Sequence, residues 1–367
     1  MGEPQKGSRI RGSGKRRRKA TTRRRALVIT AWVAAGVVVL GGGGLGFLYF
    51  KLDGNLKSVN INAQLGTDRP HNVDNGSMDI LVLGSDSRAG ANSKYGKDEG
   101  GARSDTAMVV HVYKGHKKAS VVSIPRDTLV DRPDCTTSKG ADAPGAQHAM
   151  FNTAYESGGP ACAVKTVEKM SGIRMDHYLE VDFAGFQKLI DDLGGVPVTT
   201  SKAINDDKSH LHLKAGSHTL NGQDALGLVR TRHGVGDGSD LGRIQLQQAF
   251  IKALISQVKH VGVFTSPKKL YSLADTATKT VTTDSDINSV KSLASFADSL
   301  KGIGAGSTKM VTMPVEYDPT DLNRVIPLQA ESQQVWSALK QDRPIPASAT
   351  KGSAGDKGSA GKVVTSS

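Results

Sequence analysis

Between Ala26 and Phe50 runs ALVITAWVAAGVVVLGGGGLGFLYF, twenty-five residues without a charge, and no other feature limits the architecture so strictly. About 20 apolar residues cross a bilayer as one helix. A cleaved leader is the competing reading, but its apolar stretch is usually ~7–15 residues and ends in a small-x-small site. This run is longer and closes on Phe47, Tyr49 and Phe50, aromatic residues suited to a membrane interface. Gly41–Gly44 lowers helix propensity, which membrane helices tolerate. The stretch TTRRRALV is only a faint twin-arginine signal. The sequence therefore predicts one uncleaved transmembrane helix over residues 26–50.

The charge on its amino side sets the orientation. The chain carries a formal +13, and residues 1–25 hold eleven Lys or Arg against one Glu, a net of +10 that leaves +3 for the other 342 residues. Basicity is thus a property of the tail. By the positive-inside rule the tail stays cytoplasmic, where anionic lipid suffices as its contact, and the chain beyond the helix lies outside the cell. A nucleic-acid partner, which the overall charge invites, is not expected. Cys135 and Cys162 both fall in the exported part, where oxidising surroundings favour a disulfide. Its 26-residue loop would contribute roughly 3 kcal/mol; two free buried thiols are the alternative.

Residues 51–77 read as a polar linker or stalk, 78–343 as one large domain, and 344–367, with KGSAG twice, as a disordered low-complexity tail. Within the domain, β-branched runs at 79–84, 107–113, 119–125, 177–183 and 309–315 predict strands, and KGHKK signals a hairpin between the second and third. VKTVEKMSG ends in Gly172 as a helix would. Phe183, Phe186, Leu189, Ile190 and Leu193 recur at 3/4 spacing, closed by Gly194 and Gly195. A further helix starts at Ser239 or Asp240, both good N-caps, with Ile244, Ile251, Leu254, Ile255 and Val258 on one face. Alternating strands and helices predict an α/β fold: an α/β/α sandwich around a central mixed sheet.

Chemistry concentrates at the strand ends. Asp86 follows ILVLGS and Asp105 precedes AMVV, with Arg88, Arg103 and Arg126 beside them. Each Asp alone could be a turn or cap residue. Together, two carboxylates in an oxygen-rich setting suit Mg2+ or Mn2+ with a substrate phosphate. GLVRTRHGVGDGSDLGRIQLQQ adds Arg230 and Arg232, on one face if extended, and Arg243 and Gln247, on one face of a helix. Arg presents a planar fork that matches phosphate oxygens, and such a cluster repels itself without an anion between its members. The anion this suggests is a pyrophosphate. Other motifs fail. Val164 stands where a P-loop needs Gly, no G-x-S-x-G elbow occurs, and the HLH at 210–212 reads as exposed.

Taken in order, ILVLGSDSR, RSDTAMVV, VVSIPRDT, FNTAYESGG, LEVDFAGFQKLIDDLGGV and LVRTRHGVGDGSDLGRIQLQQ resemble the LytR-CpsA-Psr family over roughly residues 78–260. The cysteine pair and the basic tail resemble its actinobacterial branch. The resemblance implies a membrane-anchored phosphotransferase that moves a glycopolymer, such as a teichoic acid, from a polyprenyl-pyrophosphate carrier to peptidoglycan through a phosphodiester, with pyrophosphatase activity on water. It implies Asp86 and Asp105 as metal ligands. Arg103, Arg126, Arg230, Arg232, Arg243 and Gln247 would bind pyrophosphate, Arg88 and Asp240 less directly. A core pocket walled by the helices at 183–193 and 244–258 would take the lipid. Asp105 and Asp127 are candidates for a general base that no motif assigns. The other reading is a non-catalytic envelope regulator that binds the lipid carrier or the polymer.

Overall fold

The computed structural model describes residues 46–85, 104–232, 235, 238–263, 266–357 and 362–366. The chain divides at Lys51. Of the first unit only residues 46–51 are described, and they are helical. The basic tail and most of the expected anchor lie outside the described residues, among which no helix is long and apolar enough to cross a membrane.

The second unit is built on a seven-stranded sheet: β1 (Lys57–Val59), β2 (Met78–Ser85), β3 (Ser104–Val112), β4 (Ala119–Ile124), β5 (His177–Asp182), β6 (Val281–Asp284) and β7 (Thr308–Thr312). Their order is β1-β6-β5-β2-β3-β4-β7. The pairs β1/β6, β5/β2 and β4/β7 are parallel and the rest antiparallel, so the sheet is mixed as expected. Sheets with parallel pairs need cover on both faces, and β4 is buried at every position. The β3–β4 turn forms at KGHKK, where Gly115 and His116 take φ of 83° and 53°.

The longer helices of this unit are α1 (Asn152–Ser171), α2 (Phe183–Asp192), α3 (Gly222–Arg230), α4 (Asp240–His260), α5 (Pro267–Thr280), α6 (Val290–Leu300) and α7 (Gln329–Lys340). On one face of the sheet, Leu81, Leu83, Val109, Val122 and Tyr178 pack with Val164 and Val167 of α1 and with Val335 and Leu339 of α7. On the other, Val110, Val121 and Leu179 face Ile251, Leu254, Ile255 and Val258 of α4 and Phe296 of α6 around an apolar cavity of about 530 Å3. The α4 part of the expected lipid wall is thus in place. Residues 183–193 are not among the cavity's lining; Phe186 and Ile190 pack instead into a second core with Leu246 and Phe250.

Three boundaries differ from the sequence expectations. Residues 51–77 are not a free stalk: β1 lies within the sheet, Leu65 is buried, and Arg69 makes a buried ion pair with Glu168 of α1. These polar residues draw order from partners more than 90 positions away, which local composition does not register. The tail is not wholly disordered. Val364 is buried in the second core, residues 364–366 pair antiparallel with 198–200, and Ala354 N–H donates to Val315 O. Small residues permit that close approach: Gly355 lies so near Thr312 that a Cβ would sit 2.8 Å from its side chain. Finally, α1 starts at Asn152, well before VKTVEKMSG. Gly158 and Gly159 break its helical angles, with Pro160 next, and so hide its period.

Cys135 and Cys162 form the expected disulfide, tying a two-residue strand at Cys135–Thr136 to α1. A Cβ on Gly158 would lie 2.7 Å from that of Cys162, so the kink that obscures the helix also makes room for the bridge.

Candidate active site

At the upper rim of β3 and β4 the chain collects Arg126, Arg230, Arg232 and Arg243 around a pocket of about 380 Å3, together with Asp105 and Gln247. Several elements contribute. Asp105 opens β3. Arg126 follows Pro125 just past β4. Arg230 ends α3, and Arg232 comes after the buried Thr231. Arg243 and Gln247 sit one turn apart on α4, whose N-cap Ser239 accepts from Gly242 N–H. The dipole of that helix start favours an anion. One local expectation is corrected: Arg230 and Arg232 do not share an extended segment, because helix α3, capped by Asn221, continues to Arg230. Both still line the pocket. Asp86, Arg88 and Arg103 lie outside the described residues.

The arginines are spaced by carboxylates. Arg126 Nη1 is 2.6 Å from Asp105 Oδ1, and its Nε is 3.4 Å from both Asp127 Oδ2 and Asp240 Oδ1. Asp240 Oδ1 also contacts Arg243 Nη2 and lies 3.7 Å from Arg232 Nη2. Arg243 Nη2 donates to Asp105 O at 3.0 Å. Two residues missed in the sequence complete the set. Asp206, a buried residue of the pocket lining, accepts Arg232 N–H at 3.0 Å and the N–H groups of Lys208 and Ser209. The exposed Lys208 joins the rim. The Asx-turn spacing of Asp206 to Lys208 was the available signal. Five cations (Arg126, Arg230, Arg232, Arg243, Lys208) thus face four carboxylates (Asp105, Asp127, Asp206, Asp240), a surplus of one positive charge among the described residues.

Burial strains the centre of this network. It pushes the Asp240 carboxyl above its ordinary range against the pull of Arg243 and Arg126. It pulls the Arg243 guanidinium down against the support of Asp240. Arg126, also desolvated, is nonetheless raised, because Asp105, Asp127 and Asp240 outweigh its burial. Arg243 is 5 % exposed, and its Nε has no hydrogen-bond partner among the described residues. Arg230 sits over the Phe183 ring with its guanidinium carbon 4.8 Å from the centroid, a cation–π contact between two residues of the pocket lining. Gln247 spends its amide hydrogens on Thr106 Oγ1 at 3.0 Å and Val229 O at 2.9 Å, joining β3, α3 and α4.

For a divalent cation the donor chemistry fits. Asp105 supplies a hard carboxylate beside guanidinium groups suited to phosphate, and Mg2+ commonly takes only one or two protein carboxylates. Among the described residues there is no group of three or more potential ligands.

Helix α4 links this pocket to the apolar cavity. Arg243 and Gln247 line the first, and Ile251, Leu254, Ile255 and Val258 the second. At ~1.5 Å per residue, one helix passes from guanidinium to amide to aliphatic surface over about 22 Å. On β3, Thr106 and Val110 repeat the gradient.

The LytR_cpsA_psr family model matches residues 48–342. The cell wall biosynthesis protein LcpA of Corynebacterium glutamicum is 35% identical over 299 residues, 74% of this chain and 57% of that protein. The probable cell wall biosynthesis protein LcpB of the same organism is 31% identical over 244 residues, 65% of this chain and 55% of LcpB. The chain therefore spans little more than half the length of these curated relatives. Among solved structures, TagV of B. subtilis is similar with a TM-score of 0.56 and 26% identity, over 74% of this chain and 98% of that one.

Proposed function

Because the chain belongs to the LytR-CpsA-Psr family, we propose that it is a Mg2+-dependent phosphotransferase that moves a glycopolymer from a polyprenyl-pyrophosphate carrier onto peptidoglycan. The observation that carries this reading is the continuous surface of α4, charged at Arg243 and apolar from Ile251 to Val258. An amphiphile with an anionic head and a hydrocarbon tail matches it end for end. The structure of TagT bound to LIIa-WTA, 27% identical with a TM-score of 0.54, supports a wall-polymer ligand.

In this scheme the acceptor hydroxyl oxygen attacks the phosphorus that bears the glycan. The bond from that phosphorus to the bridging oxygen breaks, and polyprenyl phosphate leaves with the electron pair. Arg126, Arg230, Arg232 and Arg243 hold the pyrophosphate and meet the charge that develops on its oxygens. Asp240 bridges Arg126, Arg232 and Arg243 and holds them oriented before substrate arrives. Asp105, and Asp86 by its motif, would hold the cation, which when bound neutralises phosphate charge. The apolar cavity fixes the lipid and so the position of the head. Asp105 and Asp127 flank Arg126, where either can take the hydroxyl proton. The membrane anchor, cytoplasmic N-terminus and extracellular catalytic domain belong to the same proposal.

The test uses the full-length chain in detergent, since Val364 belongs to the core. It is incubated with a polyprenyl-pyrophosphate oligosaccharide and a peptidoglycan oligomer, with Mg2+ or EDTA, and the glycan is followed by mass spectrometry. A Mg2+-dependent phosphodiester conjugate, absent with Arg126→Ala, is the expected result. Lipid binding without any conjugate would favour the carrier-binding regulator.

A further inference from the structure

Helix α6 forms one wall of the apolar cavity, and that wall is itself poorly covered. Leu293, Phe296 and Leu300 recur at 3/4 spacing and line the cavity, yet no residue of α6 is fully buried. Apolar surface left partly in water has not gained the full benefit of burial, and a continuous patch of it marks a site of contact. On the neighbouring α5, Leu270 is 44 % exposed beside the exposed Lys268 and Lys269. An aliphatic side chain flanked by lysines suits a lipid headgroup layer, where the methyls enter and the ammonium groups meet phosphate.

The same two helices receive the incoming chain. This unit begins at Leu52. Asp53 Oδ1 accepts the N–H of Val290, the first residue of α6, at 2.9 Å. Asn55 Nδ2 donates to Asp275 Oδ1 of α5 at 3.4 Å, and Leu56 lines the cavity. Six positions separate Leu56 from Phe50, the last residue of the uncharged run, and six residues reach at most about 21 Å. Three exposed lysines surround this entry. Lys57 belongs to the entering segment, Lys291 follows Val290, and Lys268 stands two turns before Asp275 on the same stripe of α5. Residues 52–57, 267–280 and 285–291 together hold five lysines against three aspartates, and two of those carboxylates already engage Val290 N–H and Asn55. Such a surplus draws a surface toward anionic lipid. We propose that the first turn of α5 and the start of α6 rest on an anionic bilayer, so that the cavity takes its hydrocarbon directly from the leaflet. The inference rests on the reading of residues 26–50 as a membrane anchor.

The test places the full-length chain in nanodiscs of phosphatidylcholine, with or without phosphatidylglycerol, and reads contact by fluorescence. The native cysteines are bridged, so Leu270→Cys takes a single environment-sensitive label. Leu322→Cys is the control, 72 % exposed on a hairpin whose Val315 and Val325 belong to the core on the α1 side of the sheet. In discs with phosphatidylglycerol the label at 270 shifts to the blue and is quenched by headgroup-proximal doxyl lipid, and the label at 322 does neither. Lys268→Glu with Lys291→Glu, both at exposed positions, lowers the quenching at 270 to the level at 322. Inorganic pyrophosphate binds these variants as it binds wild type, which shows the fold intact. Equal quenching at both positions, none at 270, or quenching indifferent to phosphatidylglycerol and to the lysine reversals overturns the inference. So does a blue shift at 270 confined to discs that hold two copies, as a second chain on this face would give, and so does failure of the chain to enter discs at all. Contact at 270 in a protein that forms no conjugate defeats the transferase reading alone, and a conjugate formed without that contact defeats this inference alone.

Discussion

The ion pair between Arg69 and Glu168 measures whether residues 51–77 belong to the fold. Arg69 Nε lies 3.1 and 3.0 Å from the two Glu168 oxygens, Nη2 lies 2.5 Å from Oε1, and Nη2 also donates to Met175 O at 2.9 Å. Glu168 Oε1 accepts Met175 N–H at 2.9 Å as well. The side chains are 6 % and 2 % exposed. Arg69→Met keeps the aliphatic stem and strands a buried carboxylate, at a cost of about 3–5 kcal/mol. At about 2 °C per kcal/mol for a domain of this size, Tm falls by about 6–10 °C. Replacing both partners, Arg69→Met with Glu168→Met, restores most of the loss, since a buried pair is close to neutral against an apolar isostere. Scanning calorimetry of the two single variants and the double closes the cycle. If Arg69→Met loses less than about 1 kcal/mol, well under the cost of a stranded buried charge, the segment is a tether and its docking against α1 is wrong.

Four further outcomes are expected. Arg232→Ala, at a half-buried rim position, should weaken inorganic pyrophosphate binding about 10- to 100-fold by calorimetry, the worth of a charge-assisted hydrogen bond, with little change in Tm. Ile255→Asp places a carboxylate on the cavity wall and should abolish retention of a fluorescent polyprenyl phosphate while pyrophosphate still binds. Reducing the Cys135–Cys162 bridge, which closes a 27-residue separation, should lower stability by about 3–4 kcal/mol in urea melts. His111 is held between Asp79 at 2.8 Å and Asp342 at 3.1 Å. Burial opposes its charge, but the two carboxylates raise its pKa above the ordinary 6.5. Its contribution is therefore full below pH 6.5 and lost as pH rises through the raised value, so His111→Gln should flatten that part of the stability–pH curve.

Strands and site lay open in the sequence to different degrees, and for physical reasons. ASVVSIP, buried on both faces, and AMVVHVY, buried on one face and partly covered on the other, announce themselves by runs of β-branched residues. Arg126, Arg230, Arg232 and Arg243 stood out because guanidinium groups beside Gly and Asp are poor solubility charges. Asp240 stood in the background, since nothing local shows that three arginines from three segments converge on it. Asp206 acts through Arg232 N–H, a backbone contact that leaves no compositional trace. Arg69 and Val364 sit in stretches whose composition reads as linker and tail, and their order comes from Glu168 and from residues 198–200. The Gly158–Gly159 break defeats any periodicity search across α1, although FNTAYESGG was recognisable as a motif.

The two edges of the sheet have a consequence for how the molecule comes into being. Lys57 of β1 pairs with Thr282, 225 positions later, and Ala119 of β4 pairs with Thr308, 189 positions later. The β2–β3–β4 meander closes locally and can form as soon as it emerges. At a synthesis rate of about 5–20 residues per second, β1 then waits some 10–45 s for its partner, with a hydrogen-bonding edge open on each side of the nascent sheet. Long-range pairing of this kind is slow and aggregation-exposed, and open edges invite foreign strands. The final hundred residues therefore act as the closing clasp of the whole domain. Truncations that spare every residue of the charged pocket should still yield chains that associate before they can fold.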